Sequence, residues 1–148
     1  MAQGSVVAFD EFTLDVGEKE HNLSTDTHKI SLHSTLPDTA TASPTYTDFT
    51  GTEMGSGNGY TTAGETANIT YAEAGGTATL TLGTDVTWTQ NGSGFTTAEA
   101  ALIYSDTAAA KEAIGTIDIT VDAGTTPISL QDGDVTIQAG TILTIAKA

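Results

Sequence analysis

From Thr77 the chain reads TATLTLGTDVTWT, with threonine alternating against an aliphatic or aromatic residue. Successive side chains of a strand point to opposite faces, so this period of two puts Ala78, Leu80 and Leu82 on one face and Thr77, Thr79 and Thr81 on the other. A helix would scatter the same residues around its circumference. Threonine is branched at Cβ and fits a pleated backbone, while its hydroxyl tolerates water. The pattern therefore predicts strands with an aliphatic inner face and a threonine outer face.

The same period recurs along the chain. Val86 and Trp88 oppose Thr87 and Thr89; Ile117, Ile119 and Val121 oppose Thr116, Asp118 and Thr120. In HKISLHS (28–34), Ile30 and Leu32 oppose Lys29, Ser31 and His33, and in ANITYAE (67–73) Ile69 goes with Tyr71 or Ala67. AALIY (100–104) is apolar without alternation, as expected of a central strand covered on both faces. Turn signals stand at 74–76, 91–94, 122–127, 131–134 and 139–140, and Asp132–Gly133 between Ile128/Leu130 and Val135/Ile137 predicts a tight hairpin. Short strands at this spacing predict a mainly β fold, an antiparallel β-sandwich or jelly-roll-like domain. Its expected core is Phe9, Phe12, Ile30, Leu32, Leu80, Leu82, Val86, Trp88, Leu102, Tyr104, Ile117 and Ile119.

Two segments depart from this period. VVAFDEFTLDVGEKEHNL (6–23) carries Phe9, Phe12 and Val16 on one stripe with acidic residues around it, predicting one N-terminal amphipathic helix stopping near Asn22. Residues 34–65 form a long excursion rich in Thr, Ser and Gly, holding all but one of the three prolines. Within it, SPTYTDF predicts a helical turn with Ser43 as N-cap and Pro44 at its first position, pinned by Tyr46 and Phe49. The 148 residues are expected to form a single domain, 1–148.

Composition narrows the function. Four lysines, no arginine and 19 acidic residues give a net charge of −15, which repels phosphate backbones and argues against nucleic acid as a partner. No apolar run approaches the roughly 20 residues of a membrane span, so no membrane partner is expected. The N-terminus lacks the basic and apolar regions of a secretory signal. Cysteine is absent, removing disulfides and thiolate ligands. His28 and His33 fall on opposite faces of one strand, and His21 has no ligand spacing to either. Asp118, Asp122, Asp132 and Asp134 read as turn residues rather than a calcium loop. The glycine-rich stretches at 54–59 and 91–94 are neither nucleophile elbows nor phosphate loops. The residues thus predict no catalytic site, no cofactor and no metal, hence no enzyme.

Several stretches resemble a family of small virion proteins of tailed bacteriophages. They are a helix ending in HNL, then STDTHKISLHSTLP, GNGYTTAGETANITY, VTWTQNGSGFTTAEAALIYSDTAAAKEAIGTIDI and a closing β-hairpin. The similarity runs from about Phe9 to the C-terminus, and its most specific pieces are Gly57–Tyr60, the Trp88 strand and ALIYSDTAA (101–109). None is a catalytic motif. The resemblance implies a capsid decoration (cement) protein on the outer surface of the virion head. Its partners would be the major capsid protein and its own copies, with a homotrimer expected. Residues 1–8 depart from the pattern and read as an N-terminal extension. Within them Ala2, Gln3, Gly4, Ser5, Val6 and Val7 are uncharged, have no place among the alternating strands, and are the candidate capsid or subunit contact. An extracellular carbohydrate-binding or adhesin module is the competing expectation, and it requires a row of exposed aromatics. A small hydrolase would instead require a cleft with perturbed carboxylates.

Overall fold

The computed structural model describes residues 4–122 and 124–146. Its elements run β1 (Val6–Ala8), α1 (Phe12–Glu18), β2 (His28–His33), a 3₁₀ helix (Tyr46–Thr52), β3 (Glu65–Ala67), β4 (Ile69–Ala74), β5 (Thr77–Leu82), β6 (Val86–Trp88), β7 (Ala100–Ser105), β8 (Ala113–Asp118), β9 (Val135–Ile137) and β10 (Gly140–Ala146). The protein is mainly β, and the strand pairs among the described residues are all antiparallel. A five-stranded sheet has the order β1-β8-β7-β2-β3, a three-stranded one β10-β5-β4, and β6 pairs with β9.

The alternation works as expected in β2, β5 and β6. Ile30, Leu32, Leu80, Leu82, Val86 and Trp88 join one core with Ile103, Ile117 and Ile119, between the five-stranded sheet and the two smaller ones. β7 is buried along its whole length because it is covered twice. Ile103 and Ala101 face the main core, while Leu102 and Tyr104 face a second cluster with Phe9 and Ala113, against which Tyr46 and Phe49 pack. A bulge in β8 serves both layers. Ile103 pairs with Gly115 but Tyr104 with Ala113, so the extra residue, Ile114, joins the main core.

The N-terminus differs from expectation. Helix is confined to Phe12–Glu18, and Lys19 ends it in the left-handed conformation with φ 67°. Gly17 lies within that last turn, and the acidic run behind it offers no apolar stripe to prolong the helix. Val6 and Val7, expected in a helix or a free arm, instead form β1 on the edge of the large sheet, Val6 opposite Ile117 and Val7 opposite Thr116. Gly115 permits this pairing, because a Cβ there would stand 2.8 Å from Val6 Cγ1.

Pairing partners also differ. Asp132–Gly133 closes a turn but no hairpin, since Ile128 bridges Ala98 and Val135–Ile137 pairs with β6. No closing hairpin forms either, because β10 leaves β9 and pairs with β5. The chain likewise changes sheets at Asn68, between β3 and β4. β8 ends at Asp118, leaving Val121 exposed. Each element keeps its period of two, but the partner is chosen by distant residues.

Candidate functional site

The 34–65 excursion folds back over the outer face of the large sheet. Its helical turn starts two residues later than expected. Thr45 is the N-cap, forming a capping box with Asp48, whose Oδ2 accepts the Thr45 N–H at 2.9 Å. The turn presents Tyr46 and Phe49 together. Tyr46 stacks on Tyr104 with ring centroids 4.6 Å apart, and Phe49 meets Phe9 at 5.6 Å.

Glu53, just past the turn, is the hub of a polar network. Its Oε2 accepts the Tyr46 hydroxyl at 2.5 Å, and its Oε1 accepts the Tyr60 hydroxyl at 2.8 Å and the Ala63 N–H at 2.7 Å. The Tyr60 oxygen accepts the Leu32 N–H of β2, and Tyr104 donates its hydroxyl to the Ala63 carbonyl at 2.7 Å. Burial, before any neighbouring charge, raises the pKa of all three phenols, so they remain donors. Gly64 completes the contact. At φ 69° it lies so close to β2 that a Cβ would fall 1.9 Å from the Ile30 carbonyl oxygen.

Beside this hub the structure forms a pair that the sequence analysis missed. Ser31 and His33, alternate residues of β2, share a face, and Ser31 Oγ lies 2.8 Å from His33 Nε2. Thr52 Oγ1 donates to the Phe49 carbonyl, so the Thr52 oxygen accepts from His33 Nδ1–H, leaving Nε2 to accept the serine proton. Burial pushes His33 down to about 4. The arrangement is that of a nucleophile and its base, yet both residues are fully buried under the excursion. Ser31 Oγ has no open face from which a substrate carbon could approach, so the pair ties Thr52 to β2. No signal short of the register of the excursion on the sheet pointed to Glu53, to Gly64, to the hydrogen-bonding role of Tyr60 or to the Ser31–His33 bond.

Ala2 and Gln3 fall outside the described residues. Gly4 donates its N–H to the Asp118 carbonyl at 3.1 Å, extending the β1 pairing, and Ser5 is exposed. Val7 is 55% exposed beside Leu36 and Pro37. Asp118 and Asp122 accept local bonds from the Thr120 and Thr126 N–H groups, whereas Asp134 accepts the N–H of Gln90, distant in sequence. Among the described residues, no three His, Asp or Glu side chains are grouped so as to hold a metal ion. No helix among them is long and apolar enough to cross a membrane.

The threonine face runs across three strands, with a bulge in β10 between Thr141 and Leu143. Register places Thr70, Thr81 and Thr141 side by side across β4, β5 and β10, then Ala72, Thr79 and Thr144, then Ala74, Thr77 and Ala146. This three-by-three array contains no charged residue, on a chain carrying −15. Neighbouring residues are about 4.8 Å apart between strands and roughly 6.7 Å apart along β4 and β5. No protein-family model, curated protein or solved structure matches the chain.

Proposed function

We propose that this protein is a structural component of a tailed-phage virion, a decoration protein that binds the outer surface of the head and stabilises it. The observation that carries the reading is the uncharged threonine–alanine array. On a chain of −15, such a face is where a second protein surface, or another copy, can pack without burying ions. The resemblance of residues 9–148 to small phage virion proteins supports the same reading. A symmetric oligomer, with trimers at the local three-fold positions of the shell, fits closed cyclic assembly. The exposed Val7, with Leu36, offers a second contact at the edge of the large sheet.

The aromatic residues favour this role over carbohydrate binding. Of nine, five are buried and four are half-buried against the core or the neighbouring rings, so they supply no exposed row for stacking sugars. The test is co-sedimentation of the purified protein with phage heads emptied of DNA and stripped of decoration. Saturable binding at a fixed ratio to the major capsid protein is expected, with a rise in the temperature at which the heads rupture. Absence of binding at any ionic strength overturns the proposal. Removing residues 2–5 leaves β1 in place and tests the extension alone, whereas removing 2–7 also deletes two of the three β1 residues paired with β8.

A further inference from the structure

Beneath α1 lies a second polar cluster, built on different terms from the Glu53 network. His21 follows the helix with its ring 5.5 Å from that of Phe12, and both of its nitrogens are buried without a partner. His28, first residue of β2, buries an unpartnered Nε2, and Glu112, just before β8, buries an unpartnered Oε2. The three residues are 6%, 1% and 7% exposed. His21 lies within electrostatic reach of Glu112, Asp26 and His28.

We propose that His21 and His28, buried beside Glu112, form a proton-binding site that couples the docking of α1 and the 21–27 loop to pH. Neutral imidazoles keep the segment closed, and protonation releases it.

Other groups around the site set the direction. Asp26 is occupied, accepting from Asn22 N–H, Ser105 Oγ and Thr107 Oγ1. Asp15 on α1 is buried, and that burial, followed by repulsion from Glu11, Glu112, Glu18 and Glu20, raises its pKa. Lys29 and Lys111 are held on Asp106, and Lys19 and Tyr71 line the groove beside His21. Burial lowers the pKa of both imidazoles, outweighing attraction from Glu112 and Asp26 at His21 and from Asp26 at His28. The open state, with histidine near its ordinary value of about 6.5, then binds more protons than the closed one. Stability of the closed segment is complete above about 6.5 and is lost as pH falls below it. Asp15 acts with the opposite sign, favouring the closed state as pH falls through its raised value.

The experiment is amide exchange on the whole chain from pH 7.5 to 5, with NMR titration of the His21 and His28 rings. The Leu14 and Asp15 amides, which donate to the Glu11 carbonyl, report α1, and the Leu102 and Ile103 amides report β7. Below about pH 6.5, α1 protection is expected to fall by up to about tenfold per pH unit if opening takes up one proton, and up to about a hundredfold if two. The β7 amides should fall less. The double variant His21→Leu/His28→Leu, with β7 protection intact, should flatten the slope. Equal losses in α1 and β7, or rings that titrate at their ordinary value while α1 stays protected, overturn the proposal.

Discussion

Under the 34–65 excursion, both oxygens of Glu53 and both ring nitrogens of His33 are hydrogen-bonded. Under α1, His21, His28 and Glu112 leave four buried polar atoms without a partner, out of five such atoms among the described residues. Tyr46 and Phe49 of the excursion pack with Tyr104 on one face of the large sheet, whereas Phe12 of α1 joins Ile114 in the core on the other. The long excursion, which composition marks as the loose part of the chain, is the region whose polar groups are satisfied. The short amphipathic helix, which periodicity marks as regular, covers the frustrated one. A satisfied polar network holds one geometry, whereas an unsatisfied one pays desolvation without compensation and lies nearer to opening.

The largest expected effect comes from Gly64→Ala. The added methyl would meet the β2 backbone at 1.9 Å in a left-handed conformation, and neither strand can retreat without losing its ladder. A loss of about 3 kcal/mol or more is expected in denaturant unfolding, or failure to fold. An unchanged midpoint would mean that the excursion does not sit against β2. Next is Glu53→Gln, which keeps the size but removes the charge and one acceptor for the two phenols and the Ala63 N–H. It should cost about 2 kcal/mol. A cost below about 0.5 kcal/mol would show that the hub is no tighter than the cluster under α1, and the contrast would fail.

How far each region was legible follows from what a local pattern encodes. The facing of Ile30, Leu32, Leu80, Leu82, Val86 and Trp88 was readable because side-chain direction in a strand depends only on parity. Tyr46 and Phe49 were readable as a pair because three residues make one helical turn. Pairing was not readable, since Val135–Ile137 chooses β6 over its sequence neighbour through contacts dozens of residues away. The N-terminal arm failed for the same reason, because Val6 and Val7 acquire a strand only where Gly115 leaves room beside them. His21 and His28 were judged by spacing, seven apart on what looked like helix and strand. Ending the helix at Glu18 instead turns the chain at 21–27 and brings both rings under the same cover.

The smallest expected effect is the most discriminating. His21→Leu replaces a ring whose two buried nitrogens have no partner with an apolar side chain of similar volume. It gives up the ring contact with Phe12, worth about 1 kcal/mol, and removes a desolvation cost of about 1–3 kcal/mol. The net change at pH 7.5 should therefore lie between zero and about 2 kcal/mol of stabilisation, read from the denaturant midpoint at constant slope. Glu53→Gln, an equally conservative change of shape, is expected to move the midpoint the other way. The pair of variants thus compares a polar group that organises its surroundings with one that its surroundings merely contain. Should His21→Leu cost 2 kcal/mol or more, one of the imidazole nitrogens has a partner in solution, and the two regions are built alike.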